Sequence, residues 1–199
     1  VYRDGDVTDA DAVAARNAEP TAFLRRTIEE ARREGWRAFG FKQLGHMSHE
    51  VTEEMVGDRE MRLIRLVRSN LLAQYSSERM AQKTDDWMRR KGAERRSTKI
   101  TFDVVDFEDW EARQRLFTQT WAELLARSGR EALFLDYTRL FHPDTRAELS
   151  AYLGFRVRDP EGVDLLRQND DDILSRFDDP DAVRAYLDER GLSHWAWGG

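Results

Sequence analysis

The chain has 199 residues, enough for one sizeable α/β domain with a buried core, and its six Trp and ten Phe exclude a disordered chain. A net charge of −6 at pH 7 argues against a general nucleic-acid binder, and no run of about 18 apolar residues is present to span a membrane. Cysteine is absent, which excludes disulfides and thiolate chemistry and fits a cytoplasmic protein.

The opening VYRDGDVTDADAVAARNAE is acidic and alanine-rich, a surface segment or a short helix. EPTAFLRRTIEEARREG predicts a helix: Pro20 suits its first turn, Glu29 and Glu30 sit among four arginines, and Gly35 suits its stop. WRAFGFK is aromatic and partly alternating, and predicts a strand from about Arg37 to Lys42. SHEVTEEMVGD predicts a short helix capped by Ser48 and stopped by Gly57. Met61 to Leu72 permits two structures. Leu63, Ile64, Leu66 and Val67 form a strand-length apolar run, while Leu63, Val67 and Leu71 also share a helical face; strand followed by helix is the reading taken. KITFDVVDF predicts another short strand, and DFEDWEARQRLFTQTWAELLARSG a long helix capped by Asp106 or Asp109. EALFLDY is an apolar run of strand length. PDTRAELSAYLGF is a helix between Pro143 and Gly154, and two short helices follow DDD and DDP.

Strands alternating with helices predict an α/β fold, a mainly parallel sheet flanked by helices on both faces, in a single domain over residues 1–199. In such sheets ligands bind beyond the carboxyl ends of the strands. Arg68 stands at such an end, and Ser76 follows eight positions later, in the early turns of the next helix. A helix N-terminus offers free N–H groups and the positive end of its dipole. Arginine adds a planar, permanently charged fork suited to phosphate oxygens, and serine adds a hydroxyl donor. By themselves the two residues read equally as a surface arginine and an exposed serine.

Their company narrows the choice. FGFK, RSNLLAQYSSERMAQKTDDW, LFLDYTRLF, DTRAELSAYLGF and LLRQNDDDILSRFDDPDAVRAYLDERGLSHW follow one another along the chain, and in that order they resemble the sulfotransferases that use 3′-phosphoadenosine-5′-phosphosulfate. The resemblance runs from about Phe39 onwards and is closest to bacterial members acting on carbohydrate or lipid acceptors. It implies the sulfotransferase version of the P-loop nucleotide-binding fold. It implies that Arg68 and Ser76 hold the 3′-phosphate of the donor and that Tyr137 helps hold the adenine. Thr138 stands where the family has glutamate. Lys42 matches the active-site lysine, and Arg167 the basic residue before a loop that closes on the nucleotide. The family's first signature, a Pro-Arg-Ser-Gly-Ser/Thr loop that wraps the 5′-phosphosulfate with backbone N–H groups, is not found in residues 1–35. The expectation is therefore a chain that starts after that loop, or a relative that has lost it.

The implied reaction is in-line sulfuryl transfer to a hydroxyl or amine of a carbohydrate, lipid or small-molecule acceptor, leaving 3′-phosphoadenosine-5′-phosphate. Such a step depends mainly on positioning and on stabilising spread-out negative charge. Lys42 would offset charge on the leaving phosphate. His46 is the first candidate base and His49 the second, with Glu50, Glu53 and Glu54 close by. No metal is called for: HMSH lacks a third ligand at usable spacing, and HEVTE lacks the second histidine of a zinc-protease helix. Asp170–Asp172 suit helix capping better than calcium. Trp87 and Trp110 suit a sugar platform, a core or a subunit contact, so a homo-oligomer stays open. RRKGAERRS is a basic patch, read as a solvated loop. The alternative function is a non-catalytic sulfotransferase-like binding or scaffold subunit. A nucleotide kinase is excluded by the lack of Gly-x-x-x-x-Gly-Lys-Ser/Thr.

Overall fold

A computed structural model describes residues 10–42, 48–87, 98–140, 142–157 and 171–198. Among the described residues are seven α-helices and a two-stranded parallel sheet, so the protein is mixed α/β. The chain divides into two units: residues up to Leu63 with Thr120–Glu131, and Ile64–Gln119 with residues from Ala132 onwards.

The first unit contains α1 (Ala10–Ala18), α2 (Pro20–Arg33) and α3 (His49–Gly57). Pro20 occupies the first turn of α2, where its missing N–H has no partner to lose. Beyond the helix Gly35 adopts φ +73°, a conformation that glycine takes without steric cost. Leu24 and Ala31 form the buried face of α2, which lies against α3. Arg25 donates two bonds to the Glu54 carboxylate, at 2.7 and 2.8 Å. Ser48 caps α3 by accepting from the Val51 N–H. Past the helix, the Arg130 guanidinium collects the carbonyl oxygens of Val56, Asp58 and Met61. The strand predicted from Arg37 to Lys42 does not form. These residues are irregular and almost all exposed, and Phe39 and Phe41 stack on each other with centroids 6.2 Å apart. An alternating run becomes a strand only when a neighbour takes its backbone N–H and C=O groups.

In the second unit the strand-then-helix reading holds. β1 (Leu63–Val67) leads into α4 (Leu71–Thr84). Arg65, awkward within a strand, places its guanidinium over the Phe117 ring and donates to Thr118 Oγ1 at 3.0 Å, both on α5 (Val104–Ser128). β2 (Ala132–Asp136) pairs with β1. The larger sheet covered on both faces is not what the described residues form: Ile64, Leu66 and Phe134 are exposed. KITFDVVDF is also not a strand. Ile100 makes a single bridge to Phe177, and α5 already begins at Val104. The reason is Asp103, whose carboxylate accepts from the Asp106 N–H at 3.0 Å and caps the helix upstream of the two expected caps. α6 (Pro143–Leu153) ends at Gly154, φ +76°, and α7 (Pro180–Glu189) is capped by Asp179.

The core of this unit joins α4, α5, α7 and a 3-10 turn at Leu174–Arg176. Leu72, Phe107, Phe177, Val183 and Leu187 are wholly buried. Tyr75 meets Phe107 edge-on at 5.1 Å and Trp110 at 5.7 Å. Each such side chain contributes roughly 1.5–3 kcal/mol on burial. This core holds the start of α4 in place, and the candidate site is built there.

Candidate functional site

Parallel pairing brings the carboxyl ends of β1 and β2 to one edge. The first residue beyond β1 is Arg68 and the first beyond β2 is Tyr137. The Arg68 guanidinium lies over the Tyr137 ring, 4.7 Å from its centroid. Such a contact contributes about 0.5–1 kcal/mol when exposed and more when desolvated. Asp136 fixes the β2 end. Burial pushes its carboxyl upward, but hydrogen bonds from Thr138 and Ser69 outweigh this and hold it below its ordinary value. Thr138 donates to Asp136 Oδ1 from its N–H at 2.8 Å and its hydroxyl at 2.6 Å.

Two residues after Arg68, Asn70 caps α4, its Oδ1 accepting from the Ala73 N–H at 2.9 Å. The next turn presents Ser76 and Ser77, which play different parts. Ser76 is fully buried; it donates to the Ala73 carbonyl and accepts from Arg176 Nη1 at 2.9 Å. Ser77 is half-buried; its hydroxyl donates to the Ala73 carbonyl at 2.8 Å, and Arg68 Nη1 and Arg176 Nη1 lie 3.5 and 3.3 Å from its Oγ. Arg176 is only 4% exposed and also donates to the Ala73 carbonyl. Two guanidinium groups thus converge on one hydroxyl, their nitrogens within about 7 Å of each other. An anion seated between them would be attracted by both. The chemistry on offer is recognition of a compact anion such as a phosphate monoester, by planar guanidinium forks.

The resemblance points to Arg167 as the basic residue before a closing loop, and the residue beside Ser76 in the structure is Arg176. The signal was present: Arg176 stands between Ile173, Leu174 and Phe177, an arginine inside an apolar cluster, and such a charge is retained when it has bonding to do.

The opposite face of α4 binds α5. Tyr75 donates its hydroxyl to Asp106 at 2.7 Å, and Arg79 grips the same carboxylate with two bonds of 2.8 and 2.9 Å. Burial, with the bond to Asp106, pushes the Tyr75 phenol up to about 12. The Tyr75 bond in turn holds the Asp106 carboxyl below its ordinary 3.8, helped by Arg79. Trp110 is 3% exposed and donates to Glu78, so it belongs to the core, whereas Trp87 is exposed. Asp172 caps the 3-10 turn through the Ser175 N–H.

The remaining expected residues lie in the first unit or outside the described residues. Lys42 lies in the first unit, exposed, in the irregular stretch after Phe41. His49, also there, opens α3 with its imidazole 3.7 Å from Glu53. His46, Arg167 and the RRKGAERRS patch lie outside the described residues. Among the described residues no three His, Asp or Glu form a metal-binding group, and no helix is long and apolar enough to cross a membrane. Compared with known proteins, the chain matches no family model, no curated protein and no solved structure.

Proposed function

We propose that this chain is a cytoplasmic 3′-phosphoadenosine-5′-phosphosulfate-dependent sulfotransferase, or the part of one that carries the 3′-phosphate and adenine side of the donor site. Arg68 holds the 3′-phosphate with Ser77 and Arg176, and Ser76 acts on it through the Arg176 guanidinium it orients. Tyr137 helps hold the adenine. Lys42 offsets charge on the leaving phosphate, His46 takes the acceptor proton, and Arg167 belongs to the segment closing on the nucleotide; these three roles rest on sequence resemblance. The acceptor is a hydroxyl or amine of a carbohydrate, lipid or small molecule.

One observation carries the reading. Arg68 leaves the end of β1 immediately before α4 and lies over Tyr137, which leaves the end of the adjacent parallel strand. That sets a permanently charged fork suited to phosphate oxygens beyond the carboxyl ends of two parallel strands, where ligands bind in such sheets.

Isothermal calorimetry with 3′-phosphoadenosine-5′-phosphate tests it. The wild type should bind, and Arg68→Ala should bind roughly 10- to 100-fold more weakly, the worth of a charge-assisted bond. No binding by the wild type, or undiminished binding by the variant, overturns the donor site. Release of 3′-phosphoadenosine-5′-phosphate from the sulfated donor, with an acceptor panel, then separates an enzyme from a binding subunit.

A further inference from the structure

The residues Ser193–Gly198 cross the start of α4. Trp195 and Ala196 are buried in the core of the second unit. On one side this segment is bonded to Asn70, whose Nδ2 donates to the Trp195 carbonyl at 3.0 Å and to the Trp197 carbonyl at 2.9 Å. On the other side it is bonded to the backbone leading into Arg176. Ile173 N–H donates to the Ala196 carbonyl at 2.9 Å, Gly198 N–H donates to the Asp171 carbonyl at 2.7 Å, and Asp172 and Trp197 form an antiparallel bridge. The 3-10 turn carrying Arg176 begins directly after Ile173.

Asn70 therefore works in two directions. Its carbonyl oxygen caps α4, and its amide hydrogens reach two carbonyls more than 120 positions away in sequence. Serine or aspartate would cap as well, so the cap alone does not call for asparagine. Only an amide both accepts from the helix and donates to two carbonyls. The segment so held touches, through Asn70, the residue two places after Arg68, and, through Ile173, the turn that carries Arg176.

We infer that Asn70 is a positioning residue: by tying Ser193–Gly198 across the start of α4, it fixes the spacing of Arg68 and Arg176 around Ser77. The nucleotide probe used below rests on the donor-site reading; the coupling itself does not. Because binding and coupling are linked, an anion held by both arginines must in return tighten the segment.

Two variants separate the cap from the tie. Asn70→Ser keeps an acceptor for the Ala73 N–H and removes the donors without adding charge. Asn70→Asp keeps the cap and sets a carboxylate against two carbonyl oxygens. Amide hydrogen exchange should quicken about tenfold at Gly198 and Ile173 in Asn70→Ser, and further in Asn70→Asp, while Val183 in α7 keeps its protection. Asn70→Ser should bind 3′-phosphoadenosine-5′-phosphate about fivefold more weakly, the loss expected for one net hydrogen bond. In the wild type the nucleotide should slow exchange at Gly198 and Ile173 more than at Val183, and in Asn70→Ser that selectivity should vanish, which a purely structural cap would not produce. Unchanged exchange in both variants, or a freed segment with undiminished affinity, overturns the inference. If the wild type binds no nucleotide, the donor-site reading fails, and exchange at Arg176, Phe177 and Ile100 decides the coupling: faster in Asn70→Ser upholds it, unchanged sinks it.

Discussion

The two faces of α4 use the same kinds of side chain to opposite ends. Toward α5, Arg79 spends its fork on Asp106, Tyr75 adds its hydroxyl to that carboxylate, and Glu78 accepts from Trp110. Opposite charges meet there, and the pairing ties one helix to the other. Toward the strand ends, Arg68 and Arg176 converge on Ser77, with Tyr137 beneath one and Ser76 beside the other. Like charges meet there, and an anion arriving between them would be drawn to both. A charged residue on a helix therefore says little until its neighbours are known: a partner of opposite sign makes it a brace, and a second cation makes it a receptor.

The contrast can be broken at several points. The largest effect is expected from Arg176→Met, because the guanidinium serves both the fold and the anion: about 3 kcal/mol of stability should be lost in urea unfolding, together with nucleotide binding. Tyr75→Phe should cost about 2 kcal/mol, the loss of a buried hydroxyl bonded to a carboxylate, with nucleotide affinity unchanged. The two serines should split. Ser76→Ala should lower stability by about 1 kcal/mol and weaken binding through a misplaced Arg176, whereas Ser77→Ala, at the less buried position, should weaken binding about threefold with a smaller loss of stability. Equal behaviour of the two serines would erase the distinction drawn between them.

Acid titration sharpens the α5 side. Asp106 has a folded pKa below its ordinary 3.8, so its contribution is fully present above that value and is lost as pH falls through the lower folded one. The stability gap between wild type and Asp106→Asn should thus be constant near neutral pH and close in the acid range. A gap that widens with acid would contradict the pairing.

Much of this was legible in the sequence, and the exceptions have physical causes. Pro20, Pro143, Gly35 and Gly154 marked helix ends because their backbone preferences are local. β1 and α4 are legible as strand then helix, and so is the placing of Arg68 between them, because the apolar run from Leu63 to Val67 has strand length. The strands expected at Arg37–Lys42 and in KITFDVVDF failed because pairing is a long-range property. Phe39 and Phe41 satisfied each other locally, and Asp103 nucleated a helix where Val104 and Val105 suggested a strand. Arg176 escaped because its meaning lies in Ser76, a hundred positions away. Ser76 and Ser77 were indistinguishable by spacing, since only the packed core decides which hydroxyl is buried.

The contrast between the two faces of α4 is decided by calorimetry with 3′-phosphoadenosine-5′-phosphate on two variants, Arg68→Ala and Arg79→Ala, whose arginines belong to the two opposed environments. Arg68→Ala should lose roughly 10- to 100-fold in affinity with little loss of stability, and Arg79→Ala should lose stability while binding as the wild type does. Equal affinities in the two variants, or a wild type that does not bind, would contradict it.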